Sequence, residues 1–270
     1  MITSQLTEVI RVRGKEVAAV EDWLAVERAL EIRVRTAGVV RVISTTMRTP
    51  GDDRALVAGF LVAEGVVKKR SELVLLEAVE DDAVLAELGV DAEAALAATQ
   101  RQFVTTGACG VCGRASMDSL ATGAGGFPDA RPPAPVHAAL IHQLPAALRR
   151  AQATFAQTGG LHAAGLFDLD GTPRAVHEDV GRHNAVDKLV GALFLAGRLP
   201  ARDSILVVSG RASFELVQKA SVAGFSMMVA VGAPSSLAVQ IARAAEMTLL
   251  GFVRDGGFNV YTGAERVAGL

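Results

Sequence analysis

The sequence predicts an α/β protein, a mixed, mostly parallel sheet flanked by helices with a smaller N-terminal α+β part, and three observations carry that expectation. In the second half, short β-branched runs alternate with stretches of helical periodicity. A glycine- and proline-rich stretch, Gly123–Pro135, separates this half from what precedes it. Ahead of it, two strand-like runs lead into one strongly patterned helix.

Leu30–Val34 and Val39–Thr45 are rich in β-branched residues, and Thr36-Ala37-Gly38 supplies the turn of a hairpin. A helix follows, entered through Pro50 and Gly51 and capped by Asp52 or Asp53. Leu56, Val57, Phe60 and Leu61 line one side of it, and Gly65 stops it. Glu77–Gln100 is acidic and alanine-rich without sharp periodicity, and reads as a peripheral helix-and-turn region. Residues 1–125 are expected to form the N-terminal part, 126–135 a linker and 136–270 the α/β domain.

In that domain Leu144, Leu148, Ala151 and Phe155 mark a helix that ends at Gly159-Gly160. Strands at Ala163–Leu169, Ser204–Val208, Met227–Val231 and Leu249–Val253 then alternate with helices at Ala185–Ala196, Ser213–Ala223 and Ser235–Met247. No internal repeat is evident.

A chain of 270 residues can bury a full core without staples. Twenty-seven basic against 29 acidic side chains leave a formal charge of -2, so there is no general electrostatic reason to expect nucleic acid or an anionic membrane as partner. Met1–Trp23 is studded with charge and has no apolar run of signal-peptide length, and no apolar run elsewhere is long enough to span a bilayer. The expected location is the cytoplasm, where a close pair of thiols is catalytic or metal-binding more often than structural.

The only two cysteines, Cys109 and Cys112, stand in Gly107-Ala108-Cys109-Gly110-Val111-Cys112-Gly113-Arg114. Glycines before, between and after them suit an exposed loop, and Arg114 favours the thiolate that sulfur chemistry needs. Four readings compete. Small core hydrophobes seldom sit among three glycines, and a tetrahedral zinc site would need the five histidines or carboxylates to complete it. A thioredoxin-like dithiol should open a helix directly after the first strand of its fold. A sulfur carrier would hold a persulfide on one cysteine and use the other to assist release; the motif alone separates these last two poorly.

Other constellations are polar turns at strand ends. Thr158–Ala164 delivers His162 to a strand; a zinc deaminase would need a glutamate where this chain has Ala164. Glu178–Asn184, followed by Lys188, gathers charged and amide groups at a helix start, which a solvated turn with Asn184 as cap would also do. Ser209-Gly210-Arg211-Ala212-Ser213 joins a strand to a helix in the manner of an anion site, with Ser209, Gly210, Arg211 and Ser213 as candidate ligands. Gly232–Ser236 repeats the arrangement without a cation. In Phe252-Val253-Arg254-Asp255-Gly256-Gly257, Arg254 offers a phosphate partner and Asp255 an acceptor pair for a guanine edge, although an ordinary polar hairpin has the same composition.

Together, Thr46–Asp53, Cys109–Gly113, Thr158–Ala164, Glu178–Lys188, Ser209–Glu215 and Asn259-Val260-Tyr261 resemble the formate dehydrogenase accessory sulfurtransferase family, FdhD, in consistent order from about Glu27 to Thr262. The resemblance implies a cytidine-deaminase-like three-layer domain and a homodimer. It implies a sulfur relay in which a cysteine desulfurase loads Cys109, with Cys112 in support. The sulfur then passes to the molybdenum cofactor, a bis-molybdopterin guanine dinucleotide, for formate dehydrogenase. That cofactor would be a bound substrate, a guanine nucleotide its mimic, and no resident metal is expected. The family's cofactor-binding run corresponds to Phe252, Val253, Arg254, Asp255, Gly256 and Gly257. Many relatives carry serines before the first cysteine, where this chain has Gly107-Ala108. The alternative is a cofactor-binding chaperone that moves no sulfur.

Overall fold

The computed structural model describes residues 2–96 and 134–270. Cys109, Cys112 and residues 126–133 of the expected linker lie outside them. The chain opens with a hairpin, β1 (Ser4–Arg13) and β2 (Glu16–Ala25), in which Leu6 faces Trp23 and Ile10 faces Ala19. The expected second hairpin follows as β3 (Arg28–Thr36) and β4 (Val39–Arg48). Its turn places Ala37 and Gly38 at φ 47° and 79°. Two consecutive left-handed residues match the right-handed twist of the flanking strands.

Helix α1 (Asp53–Ala63) ends as expected, with Gly65 in the left-handed region at φ 71°. Asp52 holds the N-cap position, but its carboxylate caps nothing and instead meets His177 Nδ1 at 2.9 Å. Of the acidic stretch expected as helix and turn, a helix does run over 93–96, residues 97–100 lie outside the described residues, and the first part is strand. Leu73–Glu80 forms β5 and Ala83–Leu88 forms β6, which lies between β3 and β5 in a sheet ordered β4-β3-β6-β5. Ala83, Val84, Leu85 and Ala86 are all buried. A strand covered on both faces shows no polar alternation, which is why its period is invisible in the sequence.

The second half begins with β7 (Val136–His137), α2 (Ala138–Ile141), α3 (Leu144–Ala151) and α4 (Ala153–Thr158). The single helix expected from Leu144 is thus two, broken at Gln152, whose φ −84° and ψ 80° leave the helical region. Then come β8 (His162–Asp168), β9 (Pro173–Asp179), α5 (Arg182–Leu195), β10 (Ser204–Val208), α6 (Phe214–Val222), β11 (Met227–Ala230) and α7 (Ser236–Ala244). The chain closes with β12 (Thr248–Arg254), β13 (Gly257–Thr262) and β14 (Val267–Ala268), the last paired with β7.

The main sheet is ordered β13-β12-β11-β10-β8-β9 and is mixed, but not mostly parallel. Only β10–β11 and β11–β12 pair in parallel; β8–β9, β8–β10 and β12–β13 are antiparallel. Helical crossovers α6 and α7 allow the parallel pairs, whereas β9 and β13 each follow a tight turn that permits only an antiparallel neighbour.

Side chains alternate across this sheet. Ala163, Phe167, Ile205, Val207 and Val229 pack with Ile141, Leu144 and Leu148 on one face. Leu166, Leu206, Val208 and Met228 face Val186, Leu189, Leu216 and Val217 on the other. The second core continues through Leu56 and Leu61 to Leu30, Ile32 and Val84, so both halves of the chain share it.

Helices α1 and α5 meet at glycines. A Cβ at Gly191 would lie 1.8 Å from Ala55 O, and one at Gly59 would lie 1.9 Å from Asp187 O. No rotamer relieves a clash with backbone. Gly191→Ala should therefore cost about 3 kcal/mol, the upper end for an overpacked core, seen as a lowered urea midpoint. An unchanged midpoint would show that the helices separate freely.

Candidate functional site

The polar run between β9 and α5 is not a solvated turn. Asp179 and Lys188 are 0% and 2% exposed, and Lys188 Nζ lies 2.8 Å from Asp179 Oδ2. The same carboxylate accepts from Thr49 N at 3.1 Å, Gly181 N at 2.8 Å and Asn184 Nδ2 at 3.1 Å. Lys188 also donates to Thr49 O at 2.8 Å and Glu178 O at 3.2 Å, while Asn184 donates to Met47 O at 2.7 Å. Buried charges survive only when paired and fully hydrogen-bonded, and each is here. The β4–α1 connection is thereby locked onto the start of α5. Beside it, Arg48 forms a bidentate pair with Asp53, both bonds 2.9 Å.

This lock reaches the next wall through Glu178. Its carboxylate accepts from Thr154 N at 2.9 Å and Phe155 N at 2.7 Å, holding the first turn of α4. Between that wall and the strand ends lies an open cleft of about 630 Å3, within the usual range for small-molecule sites. His162 at the start of β8, Ser209 after β10, and Val253, Arg254 and Asp255 at the end of β12 all line it. Five residues singled out in three separate sequence runs thus converge there.

Backbone contacts fix the turns that carry Ser209 and Arg254. Ser209 N donates to Ala163 O at 3.0 Å and Ser209 Oγ accepts from Ala163 N at 2.9 Å. Gly210 passes so close to His162 that a Cβ there would lie 3.4 Å from Nδ1. Phe252 takes φ 54°, with its N–H on Gly232 O at 3.1 Å, at the irregularity where β12 slips its register against β13. Val253 then turns inward, fully buried, and Arg254 and Asp255 stay exposed at the rim. His142 Nδ1 holds Arg254 O at 3.2 Å.

The remaining candidates lie elsewhere. Phe252 is 44% exposed. Gly256 and Gly257 form the tight turn into β13. Arg211 is exposed and packs over Gly232, outside the cleft lining. Ser213 sits 3.5 Å from His183 Nε2, which pairs with Glu215 at 2.6 Å and holds that carboxyl below the usual range. Two backbone N–H groups near Arg211 are already committed, Ala212 N to Ala233 O and Gly232 N to Gly210 O. The sequence reading passed over the opposite wall, Arg149, Gln152 and Phe155. The Arg149 guanidinium lies 4.0 Å over the Phe155 ring, a flat cationic surface. A helical pattern conceals it.

Burial, then the positive Arg182 and the neighbouring His183, lowers the His162 pKa below its ordinary value. The imidazole is accordingly neutral near pH 7, able to donate from one nitrogen and accept at the other.

Fold and cleft define a mixed α/β protein with a largely apolar, cation-rimmed site at the ends of its central strands. The family model described as the FdhD/NarQ family matches residues 25–268, and the chain belongs to that family. A protein of Streptomyces avermitilis named sulfur carrier protein FdhD is 46% identical over 97% of this chain and 94% of its own length. One of the same name from Mycobacterium tuberculosis is 48% identical over 91% of this chain and 92% of its own. A crystal structure from Desulfotalea psychrophila, described as a candidate formate dehydrogenase accessory protein, superposes with a TM-score of 0.75 at 23% identity. It covers 98% of this chain and 100% of its own, and supports the fold.

Removing one partner of the buried pair leaves the other uncompensated. Lys188→Met should cost about 3–5 kcal/mol in denaturant unfolding, and a loss under 1 kcal/mol would contradict the lock. For His162, the folded pKa lies below that of the unfolded chain, about 6.5. Its contribution to stability is full above that value and is lost as pH falls through the folded pKa. Unfolding free energy measured from pH 7.5 to pH 5 should fall less steeply in His162→Gln than in the parent, and identical slopes would contradict the assignment.

Proposed function

We propose that this protein is a sulfur carrier that serves formate dehydrogenase, taking sulfur onto Cys109 and delivering it to a molybdenum cofactor held by its guanine nucleotide in the cleft. The observation that carries the reading is a convergence. A chain of the FdhD/NarQ family, with relatives named sulfur carriers, has its only two cysteines in one glycine-rich run. Its strand-end turns, far apart in sequence, meet at a cleft of nucleotide size.

The Cys109 thiolate attacks the outer sulfur of a cysteine desulfurase persulfide; the S–S bond there breaks, and the desulfurase cysteine leaves as a thiolate. Cys109 then carries the persulfide. Arg254 supplies positive charge for phosphates, the Arg149–Phe155 pair a flat face for the base, and the Ser209 turn and neutral His162 supply polar contacts along the cleft. Holding the acceptor there makes delivery effectively unimolecular. Release by Cys112 would form a Cys109–Cys112 disulfide as hydrosulfide leaves, and a thiol reductant would return the pair to thiols.

Intact-mass spectrometry after incubation with a cysteine desulfurase and cysteine should show a reducible gain of one sulfur, absent from Cys109→Ala. The protein with both cysteines replaced by alanine should fail to activate formate dehydrogenase. Activation by that double variant would instead favour a cofactor-binding chaperone.

A further inference from the structure

Gln152 occupies the break between α3 and α4, lines the cleft and is 3% exposed. Its Nε2 is buried without a hydrogen-bond partner among the described residues. An unpaired buried donor opposes folding, and a leucine of similar reach would avoid that cost. Such a donor on a cleft wall is satisfied when a bound ligand brings an acceptor to it.

The surroundings say which part of a ligand. Phosphates call for cations and strong donors, which Arg254 and the Ser209 hydroxyl provide on the cleft wall. Gln152 is instead a neutral amide buried beside the flat Arg149–Phe155 pair, an environment for a planar base. Asp255 adds an acceptor pair from another wall.

We propose that Gln152 is a specificity-determining residue for guanine, its Nε2–H donating to the base carbonyl O6 while the Asp255 carboxylate accepts from N1–H and the exocyclic amine. This rests on the reading of the cleft as a nucleotide site. Adenine carries an amino group where guanine has O6, so a donor would face a donor and adenine is rejected.

The test is displacement of a fluorescent GDP analogue by GDP and by ADP from the full-length protein, Gln152→Leu and Arg254→Ala, with melting temperatures taken without nucleotide. The parent should prefer GDP. Gln152→Leu should bind GDP at least tenfold more weakly, with the GDP-to-ADP preference narrowed and the ligand-free melting temperature no lower than the parent's. Arg254→Ala should weaken both nucleotides alike. An unchanged preference in Gln152→Leu, or equal loss of GDP and ADP, which marks a phosphate contact, overturns the proposal. If leucine unfolds the chain, Gln152→Met, longer and more adaptable, is read by the same ratio. A parent that binds no guanine nucleotide overturns the nucleotide reading of the cleft itself, an outcome distinct from a parent that binds and a variant that matches it.

Discussion

The buried ion pair between Asp179 and Lys188 is the constraint on which the rest of this structure depends. Neither charge reaches water, so each must be met by other groups, and those groups come from both halves of the chain. Thr49 supplies an N–H to the aspartate and a carbonyl to the lysine, which fixes the entry to α1 against the start of α5. Such a pair is weak evidence for net stability, because burying two ions is itself unfavourable. Its effect is geometric: few arrangements satisfy all of these bonds, and the glycine crossing of α1 and α5 depends on the same approach.

The consequence for the cleft runs through adjacent residues. Glu178, next to Asp179, anchors the first turn of α4, and α4 carries Phe155 and follows Gln152. His162 stands opposite Asp179 in the β8–β9 register. Cleft walls from distant sequence are thereby referred to one rigid junction, as a site must be if it is to hold a group in one orientation.

Much of this was legible locally. The turn at Ala37-Gly38, the stop at Gly65 and the crossovers carrying α6 and α7 all follow from turn chemistry and period. What was not legible depends on partners distant in sequence. β6 shows no alternation because both of its faces are buried, and the antiparallel pairs at β9 and β13 depend on neighbours that no window reveals. The strand-end turns at Ser209 and Arg254 announced themselves as polar glycine turns. The wall at Arg149, Gln152 and Phe155 did not, since its helical spacing is continuous and only the backbone at Gln152 departs from it. The cysteine pair is plain in the sequence and lies outside the described residues.

The central claim is that turns fixed by this junction form one nucleotide-binding cleft. Backbone amide chemical shifts, followed by NMR as GDP is added, test it most directly. The account predicts saturable shifts with a common dissociation constant at Gly160, His162, Ser209, Arg254 and Asp255, while Val9 and Ala19 of the N-terminal hairpin stay still. Saturable shifts confined to that hairpin or to α7, with the cleft amides unmoved, would contradict it.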